Sequence, residues 1–180
     1  MHIIITAYGE PKSTERAVQA FLDQDIKEKY DIIVSDPFPK VQAYLKEQFK
    51  NQKNVKFYED EGEGKSYALN ILFAELFSSN TNDIIISTDG DVYVDKHTVK
   101  ELLEPFKDTS IGAVCGHPIS INKRDNMFGY WSHLLFDGAN KTRKAIASKR
   151  RFMETSGYLF AIRNGVINSF PLDASEDSII

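Results

Sequence analysis

Two carboxylates one residue apart, Asp89 and Asp91 around Gly90, close the apolar run Ile84-Ile85-Ile86-Ser87-Thr88. Hard oxygen donors held that close together suit a hard divalent cation that carries phosphate oxygens as its other ligands. Three more groups fall at comparable places. Ile3-Ile4-Ile5-Thr6-Ala7 runs into Tyr8-Gly9-Glu10, Ile32-Ile33-Val34-Ser35 stops at Asp36, and Lys65 follows the glycines of Glu59-Asp60-Glu61-Gly62-Glu63-Gly64. Brought together, they would offer an aromatic ring for a base, a carboxylate to accept a base N–H, an ammonium for phosphate and a carboxylate pair for a metal. That set describes a site for a nucleoside diphosphate.

The elements that must position these groups are short and regular. Each apolar run is rich in β-branched residues and bounded by polar ones, the pattern of a strand buried on both faces. Helical stretches follow: Ala17, Val18, Phe21 and Leu22 share one face, as do Val41, Tyr44, Leu45 and Phe49, and Ala68, Leu69, Ile71, Leu72, Leu76 and Phe77 form a third set. Strand and helix alternate four times, which predicts an α/β fold with a mostly parallel central sheet between helical layers. In such sheets ligands bind beyond the carboxyl ends of the strands, where the candidate residues lie.

Past Asp91 the spacing predicts a helix near 96–106, strands at 111–115 and 118–121, a long helix from Met127 to about Lys149, and a strand over 155–163. In the long helix Phe128, Trp131, Leu134, Leu135 and Phe136 precede Lys141, Arg143, Lys144, Lys149, Arg150 and Arg151. Apolar first and basic afterwards, the segment 128–151 is expected to make peripheral contact with a membrane or to hold an anionic acceptor. Near the end, Ser175 stands before Glu176 and Asp177, as at a helix N-terminus.

Composition narrows the class. With 180 residues, 42% hydrophobic and 27% charged, the chain is expected to form one domain with one sizeable core. A net charge of −4 gives no global attraction to nucleic acid, which is not expected as a partner. Cys115, the single cysteine, sits in an apolar run and reads as a small core residue. No basic leader precedes Ile3, and no apolar run approaches bilayer length; the expected setting is cytoplasmic, at the inner face of a membrane if the 128–151 contact exists.

Gly64-Lys65-Ser66 invites a P-loop reading, but Glu59 occupies the place of the first glycine and four acids line the loop that would cradle phosphate. A sugar-nucleotide pyrophosphorylase needs a Gly-rich, Arg-containing first loop, where this chain has Tyr8-Gly9-Glu10-Pro11. A third set of motifs runs the length of the chain in order. Ile3–Glu10 resembles the opening strand and turn of the inverting glycosyltransferases of family 2, and Gly62–Asn70 resembles their Gly-x-x-x-Ala-x-Asn segment. Asp89-Gly90-Asp91 matches their Asp-x-Asp, 156–163 their acceptor-side Gly strand, and Glu176-Asp177 their Glu-Asp pair.

The resemblance implies a GT-A fold, a Rossmann-like three-layer sandwich, and transfer of a sugar from a nucleotide-diphosphate sugar, UDP- or GDP-linked, to an acceptor hydroxyl on a glycan, lipid-linked sugar or protein. It implies that Ala7, Tyr8, Glu10 and Asp36 line the nucleoside, that Lys65 lies near base or phosphates, that Asp89 faces ribose and metal, and that Asp91 binds Mn²⁺ or Mg²⁺. Asp177, with Glu176 second, would remove the acceptor proton. Family members continue past the Glu-Asp helix to a Gln-x-x-Arg-Trp segment; this chain stops three residues after Asp177, so a domain shortened at its C-terminus is expected. A nucleotide-sugar-binding module without transfer activity is the alternative.

Overall fold

The computed structural model describes residues 1–78, 80, 82–147 and 156–174. Among these residues six strands form one sheet: β1 (His2–Thr6), β2 (Asp31–Ser35), β3 (Val55–Tyr58), β4 (Ile84–Asp89), β5 (Ala113–Cys115) and β6 (Leu159–Arg163), in the order β3-β2-β1-β4-β6-β5. The first four are parallel, and β6 runs antiparallel to both β4 and β5. Register aligns the carboxyl ends: Thr6 lies opposite Ser35 on one side and Asp89 on the other.

Five α-helices accompany the strands among the described residues: α1 (Pro11–Leu22), α2 (Pro39–Gln48), α3 (Lys65–Glu75), α4 (Thr98–Leu103) and α5 (Met127–Ala147). Because successive strand residues point to opposite faces, the triple isoleucine of β1 feeds two cores at once. Ile3 and Ile5 pack with Val18 and Phe21 of α1, Leu45 of α2 and Val99 of α4. Ile4 packs on the other face with Leu69 and Leu72 of α3, Phe160 and Phe170. All three isoleucines are fully buried, each contributing about 1.5–3 kcal/mol. Helices on both faces of a mostly parallel sheet are what the alternation predicted.

Four expectations are corrected. The helix near 96–106 begins at Thr98, because Asp95 caps a turn by accepting from the His97 and Thr98 N–H groups, and it ends as a 3-10 turn at Glu104–Lys107 around Pro105. The stretch 118–121 is no strand: Pro118 uses its carbonyl to accept from Asn140 Nδ2, and Ile119 and Ile121 face solvent. Helix α3 stops at Glu75, leaving Phe77 exposed beyond it. Cys115 is half-buried on the short edge strand β5 instead of fully in the core. Among the described residues no helix is long and apolar enough to cross a membrane.

Candidate nucleotide-binding cleft

The carboxyl ends of β1 and β4, the turn after β3 and the start of α3 enclose a cleft of about 310 Å³, at the lower end of the roughly 300 to 1,000 Å³ usual for small-molecule sites. Ala7, Tyr8, Glu10, Lys65, Asp89 and Asp91 all line it, as the sequence suggested.

Asp89 closes β4, Lys65 opens α3, and Ala7, Tyr8, Glu10 and Asp91 lie in the turns that follow β1 and β4. Gly90 N–H donates to the Thr6 carbonyl at 2.8 Å, so the Asp-x-Asp turn is tied to the end of β1. A Cβ on Gly90 would sit 2.8 Å from Ala7 Cβ and 2.9 Å from Thr14 Oγ1, which is why the residue between the carboxylates has no side chain. Asp89 ends β4 with Oδ1 2.6 Å from Lys65 Nζ and 3.4 Å from the Thr6 hydroxyl, which donates to it. Lys65 Nζ also donates to the Gly157 carbonyl at 3.3 Å. Gly64, with φ +107°, supplies the backbone turn into α3 that an L side chain rarely adopts. Tyr8 stands 72% exposed at the rim, its ring edge-on to Phe38 with centroids 4.9 Å apart, leaving aromatic surface open to the cleft.

Asp36 sits elsewhere. It is 0% exposed and absent from the cleft wall. Its Oδ2 accepts from Gly9 N–H at 2.9 Å and its Oδ1 from Phe38 N–H at 2.8 Å. The carboxylate therefore organises the Tyr8–Gly9 turn from beneath. The carboxylate that does reach the wall beside it is Asp60, which accepts from Ser35 Oγ at 2.7 Å and from Gly62 N–H at 2.8 Å. The rule that located Asp36 and Asp89, an acid just beyond a strand's carboxyl end, would have found Asp60 two residues after β3. Thr14 on α1 also reaches the wall and gave no such signal. Glu176 and Asp177 lie outside the described residues, as do 148–151 of the basic stretch.

Among the described residues the cleft wall is acidic: Glu10, Asp60, Asp89 and Asp91 line it with Lys65. The loop beside it adds to the field. The Tyr67 phenol is pushed up chiefly by the charge of Glu61, which also accepts its hydrogen bond, and Tyr58 is pushed up by burial first and then by Glu75, Glu61 and Asp60. A diphosphate entering such a wall meets repulsion unless a cation comes with it. Asp89 and Asp91 are hard oxygen donors suited to one. Among the described residues no cluster of three or more His, Cys, Asp or Glu side chains is placed to hold a metal ion by itself.

The glycosyl transferase family 2 model matches residues 2–169. The chain belongs to that family. Hyaluronan synthase of Streptococcus pyogenes is 27% identical over 92 residues, covering 51% of this chain and 22% of that protein. Poly-beta-1,6-N-acetyl-D-glucosamine synthase of Staphylococcus epidermidis is 27% identical over 122 residues, covering 67% and 29%. This family 2 chain thus spans less than a third of the length of those curated relatives. Among solved structures, Staphylococcus aureus TarS 1-349 in complex with UDP superposes with a TM-score of 0.56 at 15% identity, covering 70% of this chain and 38% of that one. At that identity the likeness is one of fold, the GT-A architecture that the motifs implied.

Proposed function

We propose that this family 2 domain transfers a sugar from a nucleoside-diphosphate sugar to an acceptor hydroxyl, with inversion and with a divalent cation. The observation that carries the reading is the convergence of Tyr8, Lys65, Asp89 and Asp91 on one cleft at the carboxyl edge of the sheet. A UDP-sugar is the first donor to test, because a fold relative is known in complex with UDP; a GDP-sugar is the second. Two relatives named as polysaccharide synthases favour a glycan acceptor over a lipid-linked sugar or protein.

In this reading the Tyr8 ring packs on the base, Ala7 and Glu10 line the nucleoside, and Asp36 acts indirectly by fixing the Tyr8–Gly9 turn. Asp91, with Asp89, would hold Mn²⁺ or Mg²⁺. When bound, that ion supplies positive charge where the leaving diphosphate becomes more negative. Lys65 adds a fixed charge on the same side and orients Asp89. The acceptor oxygen bonds to the anomeric carbon from the face opposite the diphosphate, the carbon–oxygen bond to phosphate breaks with its electrons on the leaving oxygen, and the acceptor proton passes to Asp177, with Glu176 as the second candidate. The proposed setting is the cytoplasm, at the inner face of a membrane.

The test is turnover of nucleotide sugars by the chain and by Asp177→Asn. Transfer or donor hydrolysis lost in the variant, with nucleoside-diphosphate affinity unchanged, is the expected result. Unchanged turnover removes Asp177 from the mechanism, and binding without turnover in the parent chain leaves the binding-module alternative.

A further inference from the structure

Helix α5 is seated with its polar face inward. Met127, Tyr130, Trp131, Leu134 and Leu135 fall at i, i+3, i+4, i+7 and i+8, flanked by Phe128, the spacing of a stripe that normally faces a core. The opposite face makes the contacts instead. Ser132 Oγ lies 2.7 Å from Ser120 Oγ, Asn140 Nδ2 donates to the Pro118 carbonyl at 3.0 Å, and Phe136 meets Tyr158 edge-on at 5.5 Å. Gly129 is buried, and a Cβ there would lie 1.8 Å from the Lys123 carbonyl oxygen. The six apolar residues of the stripe are left between 55% and 80% exposed. So many neighbouring aromatic and aliphatic side chains in water mark a surface that is covered in use.

Charge selects the covering. Across 119–147 the exposed basic residues are Lys123, Arg124, Lys141 and Lys144, with Arg143 turned partly inward and Arg124 3.8 Å from Asp137; against Asp125 and Asp137 this leaves a local excess of positive charge in a chain of net −4. A second copy laid stripe to stripe would bring the same positive charge to the contact. An anionic bilayer offers a negative surface and an apolar layer beneath it, and tryptophan and tyrosine suit that boundary. We propose that α5 docks on an anionic lipid bilayer through its outward stripe, lying in the interface without spanning it. The docking surface adjoins the cleft: Phe136 rests on Tyr158, whose carbonyl accepts from Thr88 Oγ1 at 2.7 Å, and the neighbouring Gly157 carbonyl accepts from Lys65. Docking is independent of the reaction proposed above.

Trp131 is the single tryptophan of the chain and sits within the stripe, so its fluorescence reports the event directly. With phosphatidylglycerol/phosphatidylcholine vesicles at low salt, the emission is expected to shift to the blue and the protein to co-sediment. Phosphatidylcholine alone should bind at least tenfold more weakly. Lys141→Gln with Lys144→Gln should weaken binding to the anionic vesicles roughly thirtyfold. Leu134→Glu with Leu135→Glu should abolish binding while far-UV circular dichroism and the thermal midpoint stay as in the parent, since both side chains face water. No shift and no co-sedimentation with anionic vesicles would overturn the proposal. So would a blue shift that develops without lipid as protein concentration rises and tracks a dimer in sedimentation, which would make a second copy the occupant.

Discussion

Lys65 Nζ lies 2.6 Å from Asp89 Oδ1, joining the first residue of α3 to the last residue of β4 across the cleft. The pair is about a quarter to a third exposed, 25% and 31%, so its contribution to folding is small, on the order of 1 kcal/mol or less. Its consequence is for the ligand. Lys65→Ala is expected to leave the urea midpoint nearly unchanged and to weaken nucleoside-diphosphate binding about tenfold, roughly 1.4 kcal/mol, by calorimetric titration.

Asp36 predicts the reverse. Its carboxylate satisfies two backbone N–H groups from a fully buried position. Asp36→Ala removes both acceptors; Gly9 and Phe38 are exposed, so water can reach the freed N–H groups and each lost bond costs about 0.5–1.5 kcal/mol. The expected loss is about 1–3 kcal/mol, read as a lower urea midpoint with an unchanged slope. Asp36→Asn should recover only part of it, since its amide nitrogen cannot accept a hydrogen bond.

Gly90→Ala tests the packing between the two carboxylates. The new methyl meets Ala7 Cβ and Thr14 Oγ1 at under 3.0 Å, and Thr14 is itself fixed by donating to the Glu10 carbonyl at 2.8 Å. Overpacking of this kind costs about 1–3 kcal/mol. A lower thermal midpoint together with weaker metal-dependent nucleotide binding is expected; a variant equal to the parent in both would mean that the turn has room.

His2 gives a pH dependence. Burial holds its imidazole below the usual histidine value near 6.5, against the opposing pull of Asp31, whose carboxylate at 4.0 Å is beyond hydrogen-bond reach. Between the folded value and about 6.5 the unfolded chain binds more protons, so stability rises with pH through that window and is lost as pH falls below about 6.5. His2→Gln should flatten that part of the profile, measured by urea denaturation between pH 5 and 8.

Much of this was legible in the residues. Buried strands announce themselves as unbroken β-branched runs, and an acid closing such a run marks the sheet's carboxyl edge, which is how Asp89 and Asp91 were found. The rule fixes a position along the chain but not the direction of a side chain. Asp36 and Asp60 both follow strand ends, yet one turns under the Gly9 backbone and the other takes the Ser35 hydroxyl and faces the cleft. Thr14 was illegible because its role depends on the close approach of α1 to Gly90, a contact with no local pattern. The composition of α5 marked Phe128, Trp131, Leu134, Leu135 and Phe136 but not the way each faces: Phe136 turns in onto Tyr158 beside Gly129, Ser132 and Asn140, while the other four stay exposed together with Met127 and Tyr130.

The most direct test of the central claim is a thermal-shift panel of UDP, GDP, CDP, TDP, ADP and ATP, with and without Mn²⁺, on this chain and on Asp91→Ala. A ligand at a hundred times its dissociation constant adds about 2.7 kcal/mol, roughly 5 to 10 °C for a chain of this size. A nucleoside-diphosphate site held by Asp89 and Asp91 predicts a Mn²⁺-dependent rise for one diphosphate, UDP first, that disappears in Asp91→Ala. No rise with any diphosphate, or a rise that survives Asp91→Ala unchanged, would contradict it.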